Sequence, residues 1–270
     1  MLLELKQVGI AYGNKQIVRN VSLSAEQGEI IGIVGESGSG KSTLLRGIIG
    51  LLGRGGAVTE GQILFRGKDL VGYTAAEFRQ LRGQDVAMIF QHADLSLDPL
   101  WTIGDSFYES LHVHNRSVSR RQALVLAAQR LAELSFQDTE TILRRYPHEL
   151  SGGMCQRAAI AVSMANHPAL LLADEPTSAL DVTVQTQVIE TMMNLRDTLG
   201  TTILIVTHNM GVVNRMADRV GVMYHGELVE WGRKEQVLHH PTHAYTRRLL
   251  AAVPKMDGTL PQVDGGAVDG

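Results

Sequence analysis

"GESGSGKS", residues Gly35 to Ser42, is the stretch that decides how this chain reads. It matches G-x-x-x-x-G-K-[ST]. A continuous apolar run, "IIGIVGES", leads into it from Ile30, and a helical pattern, "KSTLLRGIIGLL", follows and closes at Gly53. Strand, glycine loop, helix is the context in which this spacing means phosphate binding. The bare N–H groups of a helix N-terminus attract anions, and glycines let a phosphate come close. Backbone N–H groups from Gly38 to Thr43 can cradle phosphate oxygens. Lys41 can reach the β and γ oxygens as a point charge, and Ser42 can ligate Mg²⁺. The candidate nucleotide contacts are Gly35, Glu36, Ser37, Gly38, Ser39, Gly40, Lys41, Ser42 and Thr43. The bland alternative, a glycine turn that binds nothing, fails because pattern and context agree.

The second half of such a site is "LLLADE", residues 170–175. Asp174 ends a buried strand, where its carboxylate can hold Mg²⁺ through water. Glu175 follows directly and can polarise an attacking water as general base. A second acid beside a metal carboxylate is costly unless it has a task, which argues against a mere capping role.

Outward from these two stretches the chain alternates between strand and helix. "LLELKQVGIAY" and "VRNVSLSAEQGE" are short strands near the start, "GQILFRG" is another, and "VAMIFQ" is buried on both faces as in a parallel sheet. From about His92 to Asn166 the pattern is helical. Over Ser119 to Leu134, apolar residues recur at Leu124, Ala127, Ala128, Leu131 and Leu134, and Ser119 with Gln122 forms a capping-box signature. Strands return as "ALLLAD" and "TTILIVTH", with a long helix from about Val182 to Leu199 between them, a βαβ unit. "RVGVMYHGELVEWG" reads as a hairpin with Gly226 in its turn, and "HAYTRRLLAAV" as a last helix. The Gly- and Asp-rich tail after Pro254 reads as loose. The expected fold is α/β: a parallel-sheet core with an antiparallel β portion near its start and an inserted helical portion.

Length and composition narrow the role. The chain has 270 residues, 44% hydrophobic and 20% charged, enough for one large domain. A formal charge of −3 gives no basic field for nucleic acid. A single cysteine rules out an internal disulfide framework and fits a reducing compartment. The first residues lack the apolar core of a signal peptide, and no apolar run reaches eighteen residues. Any membrane role is therefore expected to come through partners.

A second glycine stretch, "LSGGMCQR" at Leu150 to Arg157, also opens a helical pattern. With it the set is complete. "GESGSGKS", "AMIFQ" ending in Gln91, "LSGGM", "LLLADEP", "SALD" and "VTHN" occur in this order. Together they resemble the ATP-binding cassette ATPases of ABC transporters over nearly the whole chain. The resemblance implies a P-loop NTPase (RecA-like) core with an antiparallel β subdomain and an inserted helical subdomain. It implies one ATPase domain over residues 1–253. Within it the core is 1–91 and 167–235, the helical subdomain about 92–166, and a C-terminal helical extension 236–253, with 254–270 as tail. It further implies that two cassettes face each other head to tail. Ser151, Gly152 and Gly153 of one would cover the nucleotide held by the other. Tyr12 would stack on adenine. Gln91 would contact Mg²⁺ or water and touch the membrane subunits. Asp181 would bridge the cassettes, and His208 would bond the γ-phosphate and Glu175. The cofactors are ATP and Mg²⁺.

Longer stretches narrow the resemblance further. "YPHELSGGM", "DEPTSALDVTVQTQV", "MADRVGVMYHGELVEWG" and "HPTHAYTRRLL" are similar to the dipeptide, oligopeptide and nickel importer ATPases, and "LRGQDVAMIFQ" to their first, D-type subunit. That implies a second, F-type ATPase, two permease subunits, an extracellular solute-binding protein and a peripheral place at the cytoplasmic face of a bacterial membrane. It leaves peptide, glutathione-like and nickel or other chelated cargo open. Non-transport cassettes of DNA repair or translation are the alternative; they carry long coiled coils or two fused cassettes, and this chain has neither. A regulatory module that never turns over is a further alternative, opposed by Lys41, Asp174, Glu175 and His208 together. Three departures stand out: His92-Ala93 where Asp-Pro is usual, Asp98 for an asparagine, and Asn209 for an aspartate. Cys155 reads as a small helix residue. The sharper reading makes it a thiol of lowered pKa whose bulk would block closure.

Overall fold

The computed structural model describes residues 1–91, 96–134, 136–178 and 180–252. Within these, the chain opens with the antiparallel pair β1 (Leu3–Tyr12) and β2 (Lys15–Ala25), then β3 (Ile30–Val34), the phosphate loop and α1 (Lys41–Ile48). Next come β4 (Gly56–Phe65), β5 (Lys68–Asp69), α2 (Ala75–Leu81) and β6 (Val86–Ile89). Four helices follow: α3 (Ile103–His112), α4 (Arg120–Glu133), α5 (Thr139–Arg144) and α6 (Gly152–Ser163). The chain returns through β7 (Leu170–Asp174), α7 (Val182–Leu199), β8 (Thr202–Thr207) and α8 (Met210–Met216). It ends in the hairpin β9 (Arg219–Tyr224) and β10 (Glu227–Arg233), then α9 (Lys234–His239) and α10 (Ala244–Ala251).

The strands form two sheets. One is antiparallel, in the order β2-β1-β4-β5; the other runs β10-β9-β3-β8-β7-β6, parallel except for β10. The parallel strands are apolar on both faces because both faces are covered. The period of two is visible in what each side chain packs against. Leu171, Ala173, Ile203 and Ile205 face the helices α3 to α7, while Leu170, Leu172, Leu204 and Val206 face α1 and the antiparallel sheet. Leu44, Leu45 and Ile48 of α1 are fully buried in that second layer, so the helix behind the phosphate loop is clamped between the two sheets. A third apolar cluster joins Val34, Val220 and Val222 to α8, α9 and α10.

Several expected boundaries shift for identifiable reasons. The helix after the phosphate loop ends at Ile48, not near Gly53. The Leu51 N–H reaches back to the Arg46 carbonyl (2.7 Å) and the Gly50 N–H to that of Gly47 (3.3 Å), a Schellman ending in which Gly50 takes the left-handed position. The "GQILFRG" strand begins five residues earlier, at Gly56. Helices α2, α8 and α9 were not visible as apolar patterns; they are seven, seven and six residues long. The capping box at Ser119 and Gln122 is formed, and Val182–Leu199 has the expected bounds. The tail after Pro254 and the His92-Ala93 departure lie outside the described residues.

Ser119 Oγ accepts from the Gln122 N–H, and Gln122 Oε1 accepts from the Ser119 N–H at 2.9 Å. Ser119→Ala removes the N-cap acceptor and should lower stability by about 1 kcal/mol. A urea-unfolding midpoint equal to that of the parent chain would show that α4 does not depend on this cap.

Candidate functional site

The phosphate loop is fixed from three sides. Lys41 is 6% exposed, and its ammonium donates to the carbonyls of Gly35 and Glu36, each at 2.8 Å. The β9–β10 turn closes on the loop from outside, with the Gly226 N–H donating to the Ser39 carbonyl at 3.1 Å. A Cβ on Gly35 would lie 2.2 Å from the Met223 carbonyl oxygen, so no side chain fits there. Gly40 caps α1 at φ 100°, a conformation that L side chains rarely adopt. With the loop held, the first N–H groups of α1 are aimed at whatever anion enters.

Opposite the loop stands the end of β7. Ser42 Oγ donates to Asp174 Oδ1 at 2.7 Å, and Asp174 is 3% exposed. Burial pushes the Asp174 carboxyl above the usual carboxylate range; the Ser42 bond and Arg46 oppose this without cancelling it, and Glu175 adds to it. Burial likewise pulls Lys41 below the ordinary lysine range, against the raising effect of Glu175, Asp174 and Glu36. Both groups are buried, and burial disfavours the charge of each, a cost that a bound cation and anion would offset. A hydroxyl and a carboxylate are hard oxygen donors suited to Mg²⁺, which takes one or two protein oxygens and completes its shell with water and phosphate.

Glu175 sits next to Asp174 at φ 49°, rare for a residue with a side chain. The strained backbone is held by its N–H to Val206 (2.9 Å) and by the Ser178 N–H and hydroxyl, which both donate to its carbonyl. This turn aims the carboxylate back over the sheet edge. Its Oε1 lies 2.9 Å from His208 Nδ1, and Thr207 Oγ1 donates to Oε2 at 3.3 Å. His208 is largely exposed, so one ring nitrogen orients Glu175 while the other faces the opening. Residue 209 is the N-cap of α8: Asn209 Oδ1 accepts from the N–H groups of Gly211 and Val212. Asparagine caps a helix as well as aspartate does, which accounts for that departure. Asp98 similarly accepts from the Leu100 N–H at 2.9 Å, a bond an asparagine would also make.

One cleft of about 790 Å³ gathers these groups. Gly35, Glu36, Ser37, Gly38, Gly40, Lys41, Ser42, Thr43, Gln91, Glu175 and His208 line it, together with Ile17 and Leu249. The other candidates lie elsewhere. The Tyr12 ring lies over Gly56, and the residue lining the cleft from the antiparallel sheet is Ile17. Ser151, Gly152 and Gly153 do not line the cleft. Ser151 and Gly152 are exposed, and the Ser151 side chain caps α6 by accepting from the Met154 N–H. A Cβ on Gly152 would meet open space, whereas one on Gly153 would lie 2.4 Å from Val184, so Gly153 is where α6 meets α7. Asp181 caps α7. Cys155 is 4% exposed among apolar side chains of the helical core, as a small core residue should be. Leu249 also lines the cleft: its place in a helical pattern is plain in the sequence, but no local signal says which cleft a helix flanks.

Residues 18–178 match the ABC transporter family, and residues 229–267 match the oligopeptide/dipeptide transporter C-terminal region. The dipeptide transport ATP-binding protein DppD of Lactococcus lactis subsp. cremoris (strain MG1363) is 40% identical over 263 residues, covering 96% of this chain and 75% of that protein. The glutathione import ATP-binding protein GsiA of Escherichia coli (strain K12) is 44% identical over 265 residues, 94% of this chain but only 42% of that protein. The chain thus spans less than half the length of GsiA. Among solved structures, the dimeric structure of MJ0796, a bacterial ABC transporter cassette, aligns with a TM-score of 0.75 at 30% identity, covering 86% of this chain and 98% of that one. CbiO1 from Clostridium perfringens, part of a cbiONQ complex, aligns with a TM-score of 0.77 at 24% identity, covering 87% and 90%, a likeness of fold.

Ser42→Ala leaves the buried Asp174 carboxylate without its donor. Without nucleotide this should cost about 1–3 kcal/mol of unfolding free energy. Unaltered stability of that variant in denaturant would mean that the Ser42–Asp174 bond carries no weight in the empty site.

Proposed function

The chain belongs to the ABC transporter family, and from that premise we propose that it is the ATP-hydrolysing subunit of a peptide importer, with dipeptides, oligopeptides or glutathione-like peptides as cargo. One observation supports this above all: Lys41, Ser42, Gln91, Glu175 and His208 line one cleft, and the buried Asp174 is bonded to Ser42. The named relatives, a dipeptide transporter subunit and a glutathione importer subunit, favour peptides over nickel chelates as cargo.

The chemistry follows from the geometry. The ammonium of Lys41 exchanges its loop carbonyls for the β- and γ-phosphate oxygens, and the N–H groups of the loop and α1 take the rest. Ser42 and Asp174, with Gln91 at the rim, would hold Mg²⁺, which when bound neutralises charge on the phosphates. Glu175 accepts a proton from the attacking water. His208 holds the Glu175 carboxylate in place through Nδ1 and leaves Nε2 to donate to the γ-phosphate.

Cassettes of this family work as dimers with membrane permease subunits. In this chain the exposed Ser151 and Gly152 do not line its own cleft and are open to a facing cassette, with Gly153 behind them and Asp181 as the N-cap of α7. We assign these four residues to a partner's nucleotide, and Tyr12 to the adenine edge. The proposed partner is a second, F-type cassette. Among the described residues no helix is long and apolar enough to cross a membrane. The proposed site of work is the cytoplasmic face of the cell membrane, beneath two permeases fed by a solute-binding protein. A groove of about 330 Å³ supports the permease contact. It runs between the sheet edge and the helical layer, lined by Leu51, Val86, Met88, Phe90 and Val113, and Phe90 is followed at once by Gln91 in the ATP cleft.

Glu175→Gln should keep ATP binding and lower hydrolysis by about 10²–10⁴-fold. Turnover equal to the parent would remove Glu175 as base. Mg-ATP should also drive association with the F-type cassette more strongly than self-association; equal sedimentation shifts with and without that partner would count against a heterodimer.

A further inference from the structure

The last helix touches the phosphate loop. Tyr245, near the start of α10, is 3% exposed, and its hydroxyl accepts a hydrogen bond from the Glu36 N–H at 3.1 Å. Glu36 is the second residue of the phosphate loop, and its carbonyl is one of the two that hold Lys41 Nζ. The N–H and carbonyl flanking this one side chain are thus both engaged, the first by α10 and the second by the lysine that must meet the phosphates. One turn further along α10, Leu249 lines the nucleotide cleft itself.

The helix is anchored for this contact. The Glu230 carboxylate on β10 accepts from the Thr242 N–H (2.7 Å), the Thr242 hydroxyl (3.1 Å) and the His243 N–H (3.2 Å), which fixes the segment leading into α10. His243 Nδ1 then accepts from the Tyr245 N–H. The Tyr245 ring stacks on Tyr224 at 4.0 Å between centroids, and Tyr224 ends the strand whose turn donates to the Ser39 carbonyl. The hydroxyl that accepts from Glu36 thus belongs to a ring fixed by stacking and to a helix fixed at its start.

Resting on the reading that the cleft binds ATP, we propose that α10 is a working part of the nucleotide site, with Tyr245 as the positioning residue that pre-sets the Glu36 backbone and so the reach of Lys41. A loop already ordered in its bound conformation binds more tightly, because less freedom is lost on binding. Removing the hydroxyl leaves the Glu36 N–H without an acceptor and lets this part of the loop rotate. Contacts that draw α10 away, from a permease or from the chain beyond it, would then loosen ATP without touching Glu175 or His208.

The test measures Mg-ATP affinity by titration with a fluorescent ATP analogue, and steady-state hydrolysis, on the full chain and its variants. Tyr245→Phe keeps the ring stack and loses only the hydroxyl. Its Kd and KM should rise together by about three- to ten-fold, the range one such hydrogen bond allows. Its kcat should stay within about two-fold, because the groups that act on the γ-phosphate are untouched. Glu230→Gln, which loosens the lead-in without entering the cleft, should shift Kd in the same direction, and carries the test if the first variant does not fold. Unchanged Kd in both variants, with binding lost in Lys41→Ala, overturns the role of α10 and leaves the ATP reading standing. A parent chain that binds no ATP overturns both.

Discussion

A single hydrogen bond, from Ser42 Oγ to Asp174 Oδ1, joins the two halves of the site, and the rest of the fold serves to make it possible. The two residues are 132 positions apart in sequence, and their strands, β3 and β7, are separated in the sheet by β8. Only a parallel order in which both strands end at the same edge brings a loop hydroxyl onto a buried carboxylate. Burying that carboxylate is expensive, and burial raises its proton affinity. The cost is tolerable in a cleft whose bound state supplies a cation. The clamped α1, the Met223 and Gly226 contacts and the strained Glu175 turn all keep donors and acceptors in place around that edge.

The residues assigned to a facing cassette already have structural duties of their own. Ser151 caps α6 and Asp181 caps α7 before either meets another chain. Gly153 is small because Val184 is against it. A facing cassette would therefore meet surfaces already rigid, so little order need be lost on closure. Gln91 joins the two levels: it lines the ATP cleft and directly follows the exposed Phe90 of the apolar groove.

Much of this was legible in the sequence. The phosphate loop and the Asp174-Glu175 pair could be read because each sits at a strand end, where a short motif and its structural context coincide, whereas His208 came only from the resemblance. The long helix Val182–Leu199 and the Ser119 cap were legible because periodicity and capping chemistry are local. Helices of six or seven residues such as α8 and α9 were not, since so short a turn of helix shows too few apolar repeats to be told from a loop. Asn209 was a missed cue, an N-cap read only as a departure. Ile17 and Leu249 in the cleft, and the Tyr245 bond to Glu36, depend on which elements become neighbours in space. The position of Tyr12 at a strand end was plain, its ring lies over Gly56, and its assignment to adenine rests on the resemblance.

The central claim is that this chain is one cassette of an ATP-driven membrane importer. The most direct measurement is native purification of the chain from gently solubilised membranes of the cell that makes it, with mass spectrometry of everything that co-elutes. The co-eluting set should contain two multi-span permeases, a second cassette ATPase and a solute-binding protein, in stoichiometric amounts and with ATPase activity in the complex. Co-elution with soluble proteins or nucleic acid alone would contradict it, leaving an ATP-hydrolysing cassette that moves nothing across a membrane.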